Sequence, residues 1–407
     1  MYLSLYYHTN PFQLIHSSSH HRITTNHTST AIVVVVVVAA AIMKALVSKP
    51  HLLSRISSLA FGKTIGGPGA AFQDHHPRPS ITPDEILVKV RTVALNPTDY
   101  KHMDAISPPG CVIGCDYAGE VAEVGSNAAK TWAVGDRVAG AVHGGLFPDR
   151  GAFAEYLKID GDLAWKVPAG VDDTVAATFG VSAATAMHAL NARLGLPWAD
   201  EYKVGQEQKQ QPAPTIFIYG GSTAAGLFTI QLAKLAGYTV VTTASPHSFD
   251  LVRSYGADDV FNYRENDVGD AIAKKYPNVG AGVDCFSEGN SFGICDTVLK
   301  NKGGKLITLL PFAKPKYPGV EHELIMSYTL FGHPFQWLPP IGPKFPAIPD
   351  DRKALVRFYG SLPELVSKKI IKPLPITLEE GGWNGILTGL DKLRSGKVSG
   401  SKLVVKL

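Results

Sequence analysis

"TIFIYGGSTAAGLFTIQLAKLAGYTVVTTASPHSFD", residues 215–250, decides the fold. Residues 215–219 and 239–244 are β-branched and aromatic runs, the pattern of strands. Between them a glycine turn leads into "GLFTIQLAKLAG" (226–237), where Leu227, Ile230, Leu232 and Leu235 recur at helical spacing. A strand that runs through glycine straight into a helix aims backbone N–H groups, and the positive helix end, at a phosphate. Gly221 permits the sharp turn and Gly226 the close approach of helix to sheet, while Thr223 stands where the usual fingerprint has its middle glycine. Ser222 and Thr223 add hydroxyl donors for a pyrophosphate. A turn that merely packs would use the same glycines; the strand before and the amphipathic helix after it favour the ligand.

NAD-binding chains carry a carboxylate about 20 residues beyond the first glycine, for the ribose 2′-hydroxyl. Here the second strand runs into "SPHSF" with no acid before Asp250. Ser245, His247 and Ser248 offer neutral or cationic donors that suit a 2′-phosphate, so the expected cofactor is NADPH, although the nearest Arg or Lys is Arg253. Capping of the next helix by Ser245 and Ser248 is compatible with that role.

Working outward, strand candidates at 259–262, 282–286 and 304–310 continue the alternation with helices, which predicts an α/β, doubly wound parallel sheet. Upstream, 172–195 has an alanine-rich helical composition ending at Gly195, and 199–214 is a polar, Gln-rich loop. Residues 86–175 read differently: "EILVKVRTVAL" (85–95), "VGDRVAG" (134–140) and frequent glycines predict a compact β-barrel. Nine prolines between 311 and 349 exclude a long regular element there and suggest an ordered wrap or lid. The end, 387–407, reads as a helix, a Gly-Ser turn and a last strand. The expected layout is a catalytic domain from 43–175 and 316–407 around a nucleotide-binding domain at 176–315.

The 407 residues are 45% hydrophobic and 18% charged, and a net charge of +4 is too mild to argue for nucleic acid or acidic lipid. Cys111, Cys115, Cys285 and Cys295 form no CxxC pair, which fits a reduced, cytoplasmic protein. Residues 1–42 hold one charged side chain, Arg22, and lead into "AIVVVVVVAAAIM" (31–43). That apolar run falls short of the roughly 18 residues a membrane span needs. A signal peptide cleaved near Ala39, Ala40 and Ala41, a transit peptide, and an over-extended gene model with Met43 as the true start all fit, the third best.

From about residue 81 the chain resembles the zinc-independent medium-chain dehydrogenase/reductase superfamily, with "GCDYAGEVAEVG" (114–125), "VGDRVAG", "YGGSTAAG" and "GADDVFNYR" (256–264) in the expected order. More narrowly, "NPTDYKH" (96–102), "GGSTA", "SPHSFD" (245–250) and "SGSKLVV" (399–405) resemble the trans-acting enoyl reductases of fungal polyketide biosynthesis, the lovastatin type. The resemblance implies a GroES-like barrel domain beside a Rossmann domain, with the active site between them. It implies Thr98, Asp99, Tyr100 and Lys101 on the nicotinamide side, and Gly221, Ser222, Thr223, Ala224 and Ala225 around the pyrophosphate. Ser245, Pro246, His247 and Ser248 would take the adenosine phosphate and Tyr263 the adenine. Leu309, Leu310, Val398 and Ser399 would complete the cofactor site. The acyl pocket would be shaped by Phe179, Gly180, Val181, Ser182, Ala183, Ala184, Thr185 and Ala186, together with Ser327, Tyr328, Thr329, Leu330 and Phe331. Residues 48–80 depart from the family's first strands, and "SRISSLAFGKTIGG" (54–67) reads as an insertion or a second error of the gene model.

Zinc members of the superfamily need cysteine, histidine and an acid around an open position. Here Asn96-Pro97 stands at the first ligand's place and Gly114-Cys115-Asp116 at that of the Gly-His-Glu motif, so no metal is expected. Reducing a carbon–carbon double bond conjugated to a carbonyl takes a hydride at the β-carbon, a proton at the α-carbon and donors for the enolate oxygen, and needs no metal. Lys101 is the first candidate for proton donor or orienting group, with Tyr100 and Thr185 behind it; a lysine touching only solvent or cofactor phosphate is the alternative. His143 reads as a loop residue. The expected activity is NADPH-dependent reduction of an enoyl thioester, plausibly held on an acyl-carrier domain of a polyketide synthase, by a monomer. A quinone or small-enone reductase, and a non-enzymatic NADPH-binding protein, are the rivals.

Overall fold

The computed structural model describes residues 41–49, 69–201, 213–311, 314–340 and 342–407. The expected extension at 1–42 (but for its last two residues), the insertion at 54–67 and most of the loop at 199–214 lie outside the described residues.

The first half supplies β1 (Ile42–Ser48), β2 (Ala70–Pro77), β3 (Glu85–Ala94), β4 (Asp116–Val124), β5 (Arg137–Ala141), β6 (Tyr156–Asp160) and β7 (Trp165–Lys166). The middle supplies β8 (Thr215–Tyr219), β9 (Thr239–Ala244), β10 (Asp259–Asn262), β11 (Ala281–Asp284), β12 (Gly304–Thr308) and β13 (Val320–Leu324). Two short strands, β14 (Phe335–Gln336) and β15 (Lys344–Phe345), pair with each other, and β16 (Ile376–Leu378) and β17 (Lys402–Lys406) close the chain.

Strands β16, β17, β3, β4, β5 and β7 neighbour one another in that order, with β6 on β3; every pairing but β16–β17 is antiparallel. This is the expected barrel, completed by the last strand of the sequence. The second sheet runs β10-β9-β8-β11-β12-β13, parallel throughout. Along β8, Ile216 and Ile218 join the core shared with the barrel, while Phe217 and Tyr219 join a second cluster with Val241, Ile272 and Val298. Both faces are thereby covered, as a parallel sheet requires.

Three elements depart from expectation. The sixth parallel strand, β13, lies beyond residue 315 inside the proline-rich stretch, where an ordered wrap or lid with no long regular element was expected. A 19-residue helix, Pro349–Ser367, follows that stretch and has no counterpart in the sequence reading. The helical stretch at 172–195 is broken into Asp173–Ala176, Ala177–Phe179, Val181–Met187 and His188–Arg193. The break at Gly180 is imposed from a distant strand: the buried Asp116 carboxylate accepts the Val181 N–H at 2.6 Å. A Cβ on Gly180 would lie 2.2 Å from that carboxylate oxygen. Within the helix Ala224–Leu235, Leu227, Ile230 and Leu232 are fully buried, and Leu235 is only half-buried at its end.

Candidate active site

Strand β8 ends at Tyr219, and Gly220 turns the chain with φ +75°. A Cβ on Gly221 would sit 2.3 Å from the Thr242 hydroxyl, and one on Gly226 would sit 2.3 Å from the Gly220 carbonyl oxygen. Both positions therefore need glycine. Thr223 caps the helix Ala224–Leu235: its hydroxyl accepts from Gly226 N–H at 3.0 Å and donates to the Gly220 carbonyl at 2.8 Å. That hydroxyl is spent on the turn, which leaves Ser222 as the hydroxyl donor available to a ligand. The N–H groups of Ser222, Ala224 and Ala225 have no protein acceptor among the described residues. They are the orphan donors of a helix start, clustered at its positive end.

The next strand brings the proposed adenosine contacts together. Ser245 donates to the Tyr263 hydroxyl at 3.4 Å, and His247 Nε2 lies 3.4 Å from Ser399 Oγ. Pro246 opens the turn that buries Ser248, and Val398 packs half-buried against the core. Sequence reasoning missed Arg264, whose guanidinium lies 4.8 Å from the Tyr263 ring centre. Asp250, the first acid after β9, is fully exposed and faces Arg253 at 3.7 Å.

On the barrel side the short helix Pro97–Lys101 carries the four nicotinamide-side candidates, and they separate. Asp99 is 1% exposed and accepts the Asn96 N–H at 2.8 Å, so its carboxylate serves the helix start instead of lining a cleft. Burial, then the charge of Asp116, pushes the Asp99 carboxyl up to about 7. Tyr100 is half-buried, with the Arg394 guanidinium 5.4 Å from its ring centre. Thr98 Oγ lies 2.7 Å from the Tyr328 hydroxyl, and His102 Nδ1 donates to the Thr98 carbonyl at 2.9 Å. Lys101 Nζ donates to Glu288 Oε1 at 2.6 Å, joining the barrel to the loop after β11.

Glu288 was not foreseen, because nothing in its own neighbourhood of sequence marks it. Its loop is held stiffly. The buried Asp284 carboxylate accepts the N–H of Phe286 at 3.0 Å and of Ser287 at 2.7 Å. Ser287 is left-handed at φ +55°, and its hydroxyl accepts the Leu309 N–H at 2.9 Å. Phe286 is 50% exposed and stands beside Gly220. Leu309 and Leu310 are half-buried on the same side of the sheet's carboxyl end.

The two segments expected to shape an acyl pocket meet where Thr185 Oγ lies 3.1 Å from Ser327 Oγ. Most of the first segment is core: Phe179, Ala183 and Ala186 are wholly buried, Ala184 nearly so, and Ser182 accepts from Lys402 at 3.3 Å. Val181 and Thr185 are the members placed at its edge. In the second segment Tyr328, Leu330 and Phe331 are buried, and Thr329 donates to Asp351 at 2.5 Å. Burial opposes ionisation of Asp351, but hydrogen bonds from His188, Arg193 and Thr329 hold its carboxyl below the usual range. The unforeseen helix Pro349–Ser367 thus anchors the pocket turn through Asp351. His143 lies in the loop after β5, as expected, but that loop is buried there, and the ring stacks on Tyr328 with ring centres 3.8 Å apart.

The donor set does not suit zinc. Lys402 is buried, bonds to Asn96 Oδ1, and lies 2.9 Å from Asp116 Oδ2, so an ammonium bridges two of the positions that would carry ligands in a zinc member. Burial pushes the Cys115 thiol well above its usual range, away from the thiolate that zinc binds. Among the described residues no group of three or more His, Cys, Asp or Glu side chains is placed to hold a metal ion, and no helix is long and apolar enough to cross a membrane.

Compared with known proteins, residues 82–169 match the alcohol dehydrogenase GroES-like domain family and residues 224–309 the zinc-binding dehydrogenase family. A trans-enoyl reductase of Gibberella zeae is 37% identical over 337 residues, covering 81% of this chain and 91% of that relative. One from Trichoderma harzianum is 35% identical over 354 residues, covering 84% and 94%. Among solved structures, the quinone oxidoreductase from Coxiella burnetii superposes with a TM-score of 0.62 at 24% identity, over 90% of this chain and 99% of that one. A mycobacterial protein complexed with NADPH gives 0.64 at 20% identity, over 90% and 100%. These two share the fold.

Proposed function

The chain belongs to the trans-enoyl reductase family, within the medium-chain dehydrogenase/reductase superfamily, and from that premise we propose that it reduces the C=C bond of an enoyl thioester with NADPH. The observation that carries the reading is the Lys101–Glu288 pair: it ties the Lys101 ammonium to Glu288, which follows Phe286 by two residues in the loop beside the glycine turn at Gly220. The orphan N–H groups of Ser222, Ala224 and Ala225 fit a pyrophosphate, and Ser245, His247, Ser399 and Arg264 fit a 2′-phosphate and its base.

NADPH held by the N–H groups of Ser222, Ala224 and Ala225 and by Ser245 and His247 would supply the hydride for the β-carbon, and the negative charge would then rest on the thioester oxygen. Lys101 then donates to that oxygen, or passes a proton to the α-carbon, once Glu288 yields its hydrogen bond. Tyr328 and Thr98 hold each other's hydroxyls, so their role is to orient the substrate's reacting end. Four buried free thiols fit a reducing compartment, and we place the protein in the cytoplasm as a monomer that meets its substrate on the carrier domain of a polyketide synthase.

Steady-state consumption of NADPH and of NADH, with crotonyl and longer enoyl thioesters set against quinones, tests the reading. NADPH-dependent thioester turnover is expected. Turnover of quinones alone would leave a quinone reductase, the reading favoured by the Coxiella burnetii likeness, and a marked NADH preference would overturn the account of residues 245–248.

A further inference from the structure

The parallel sheet grows in two directions. From β8 the chain adds β9 and then β10 on one side, and returns to add β11, β12 and β13 on the other. Sheets of this kind hold their ligand in the crevice at the carboxyl ends of the two strands where the order reverses, here β8 and β11. The glycine turn after β8 forms one wall. The loop 285–290 after β11 forms the other, and its one acid is Glu288. The two walls adjoin: a Cβ on Gly220 would lie 3.5 Å from Phe286 Cβ, and the Cys285 N–H donates to the Tyr219 carbonyl at 3.0 Å.

This loop is built more firmly than an exposed ion pair needs. Besides the N–H groups of Phe286 and Ser287, the Asp284 carboxylate accepts the Ser291 hydroxyl at 2.5 Å. The Ser287 hydroxyl donates to the Asp284 carbonyl at 2.8 Å while it accepts the Leu309 N–H. Ser287 and Gly289, on either side of Glu288, are both left-handed, at φ +55° and +63°. A serine keeps that conformation only where its surroundings impose it, and such positions gather at binding sites. A strand-to-helix turn accounts for the bonds of Asp284 to Ser287 and Ser291, but not for an exposed carboxylate at its tip. Glu288 is half exposed and reaches over to the barrel, where it accepts from the Lys101 ammonium.

With the adenosine half of a dinucleotide read over β9 and β10, the nicotinamide half falls to the loops after β11 and β12. That half carries a ribose with two free hydroxyls, and a carboxylate is the usual acceptor for a ribose hydroxyl on this kind of sheet. Resting on the reading of NADPH as the cofactor, we infer that Glu288 accepts the hydroxyls of the ribose next to the nicotinamide, giving up Lys101 for them and so releasing the ammonium to the substrate. A part-exposed ion pair is weak enough to give way, and hydroxyls bonded to an ionised carboxylate are among the stronger hydrogen bonds. Glu288 is thereby a cofactor contact, and a positioning residue for Lys101.

Calorimetric titration reads this without turnover. NADP+ contains the second ribose, whereas adenosine 2′,5′-bisphosphate ends before it. Glu288→Ala should weaken NADP+ binding at least about tenfold and hold the bisphosphate within about twofold, which also reports that the variant is folded. Glu288→Asp, with its carboxylate on a shorter stem, should recover part of the loss. Lys101→Met removes the competing ammonium and should bind NADP+ as tightly as the wild type or more so. Equal weakening of both ligands by Glu288→Ala, weakening of neither, or weaker NADP+ binding by Lys101→Met would overturn the assignment. Failure of the wild type to bind NADP+ would instead remove the cofactor reading. Absence of crotonyl-pantetheine turnover by a protein that does bind it would remove the enoyl reading alone.

Discussion

Lys101 and Glu288 form a part-exposed pair, and pairs of that kind contribute about 0–1 kcal/mol to stability. Their joint role is therefore to be read in kinetics. Lys101→Met should lower kcat with enoyl thioester by about a hundredfold, with the KM for NADPH little changed; a rise in that KM alone would make Lys101 a cofactor contact. Asp99 gives a prediction of different character. Its carboxyl is raised from 3.8 to about 7 in the folded protein, among Asp116, Cys115 and Lys402. The folded state thus holds a proton that the unfolded chain has released. The contribution to stability is full below pH 4 and disappears as pH rises through about 7. Asp99→Asn, which keeps an acceptor for the Asn96 N–H, should gain on the wild type between those limits, by on the order of 2–4 kcal/mol at pH 8. Denaturant melts at several pH values check this; parallel curves for the two proteins would contradict it.

At the scale of elements, the glycine turn was legible because each demand is local. Gly221 and Gly226 answer to contacts a few residues away or on the next strand, and the missing acid after β9 is visible by inspection. The job of Thr223 was not legible. Its hydroxyl faces the Gly220 carbonyl and the Gly226 N–H, and the spacing fits a pyrophosphate donor just as well. Thr223→Val should therefore cost about 1 kcal/mol of stability through the lost cap, and change NADPH affinity less than Ser222→Ala does. Calorimetric titration of the two variants with NADPH checks the order. The broken helix at Gly180 was hidden for a related reason: its cause, Asp116, belongs to a distant strand, and alanine-rich composition hides the interruption.

Across the whole molecule, the features that escaped the sequence are those that join distant segments. Strand β17 brings Lys402 to Asn96, Asp116 and Ser182, tying the last strand to the barrel and to the helix Val181–Met187. No spacing rule reaches across such distances. Removing one partner of a buried pair leaves the other charge uncompensated, so Lys402→Ala should cost about 3–5 kcal/mol in denaturant unfolding. A loss below about 1 kcal/mol would mean that the surroundings admit water. The same long-range logic explains β13 and the helix Pro349–Ser367. The prolines around them argued against regular structure, while pairing with β12 and the Asp351 contacts hold both in place. The barrel, the parallel sheet and the glycine turn were legible because periodicity and glycine placement report on local packing; the clasp and anchors between them were not.

The most direct test of the account follows the hydride. NADPH carrying deuterium at ring C4 is mixed with crotonyl-pantetheine and excess enzyme in ordinary water. The account predicts a butyryl thioester with one deuterium on the β-carbon and a solvent proton on the α-carbon. Recovery of unreduced crotonyl thioester, or label on the carbonyl carbon, would contradict it.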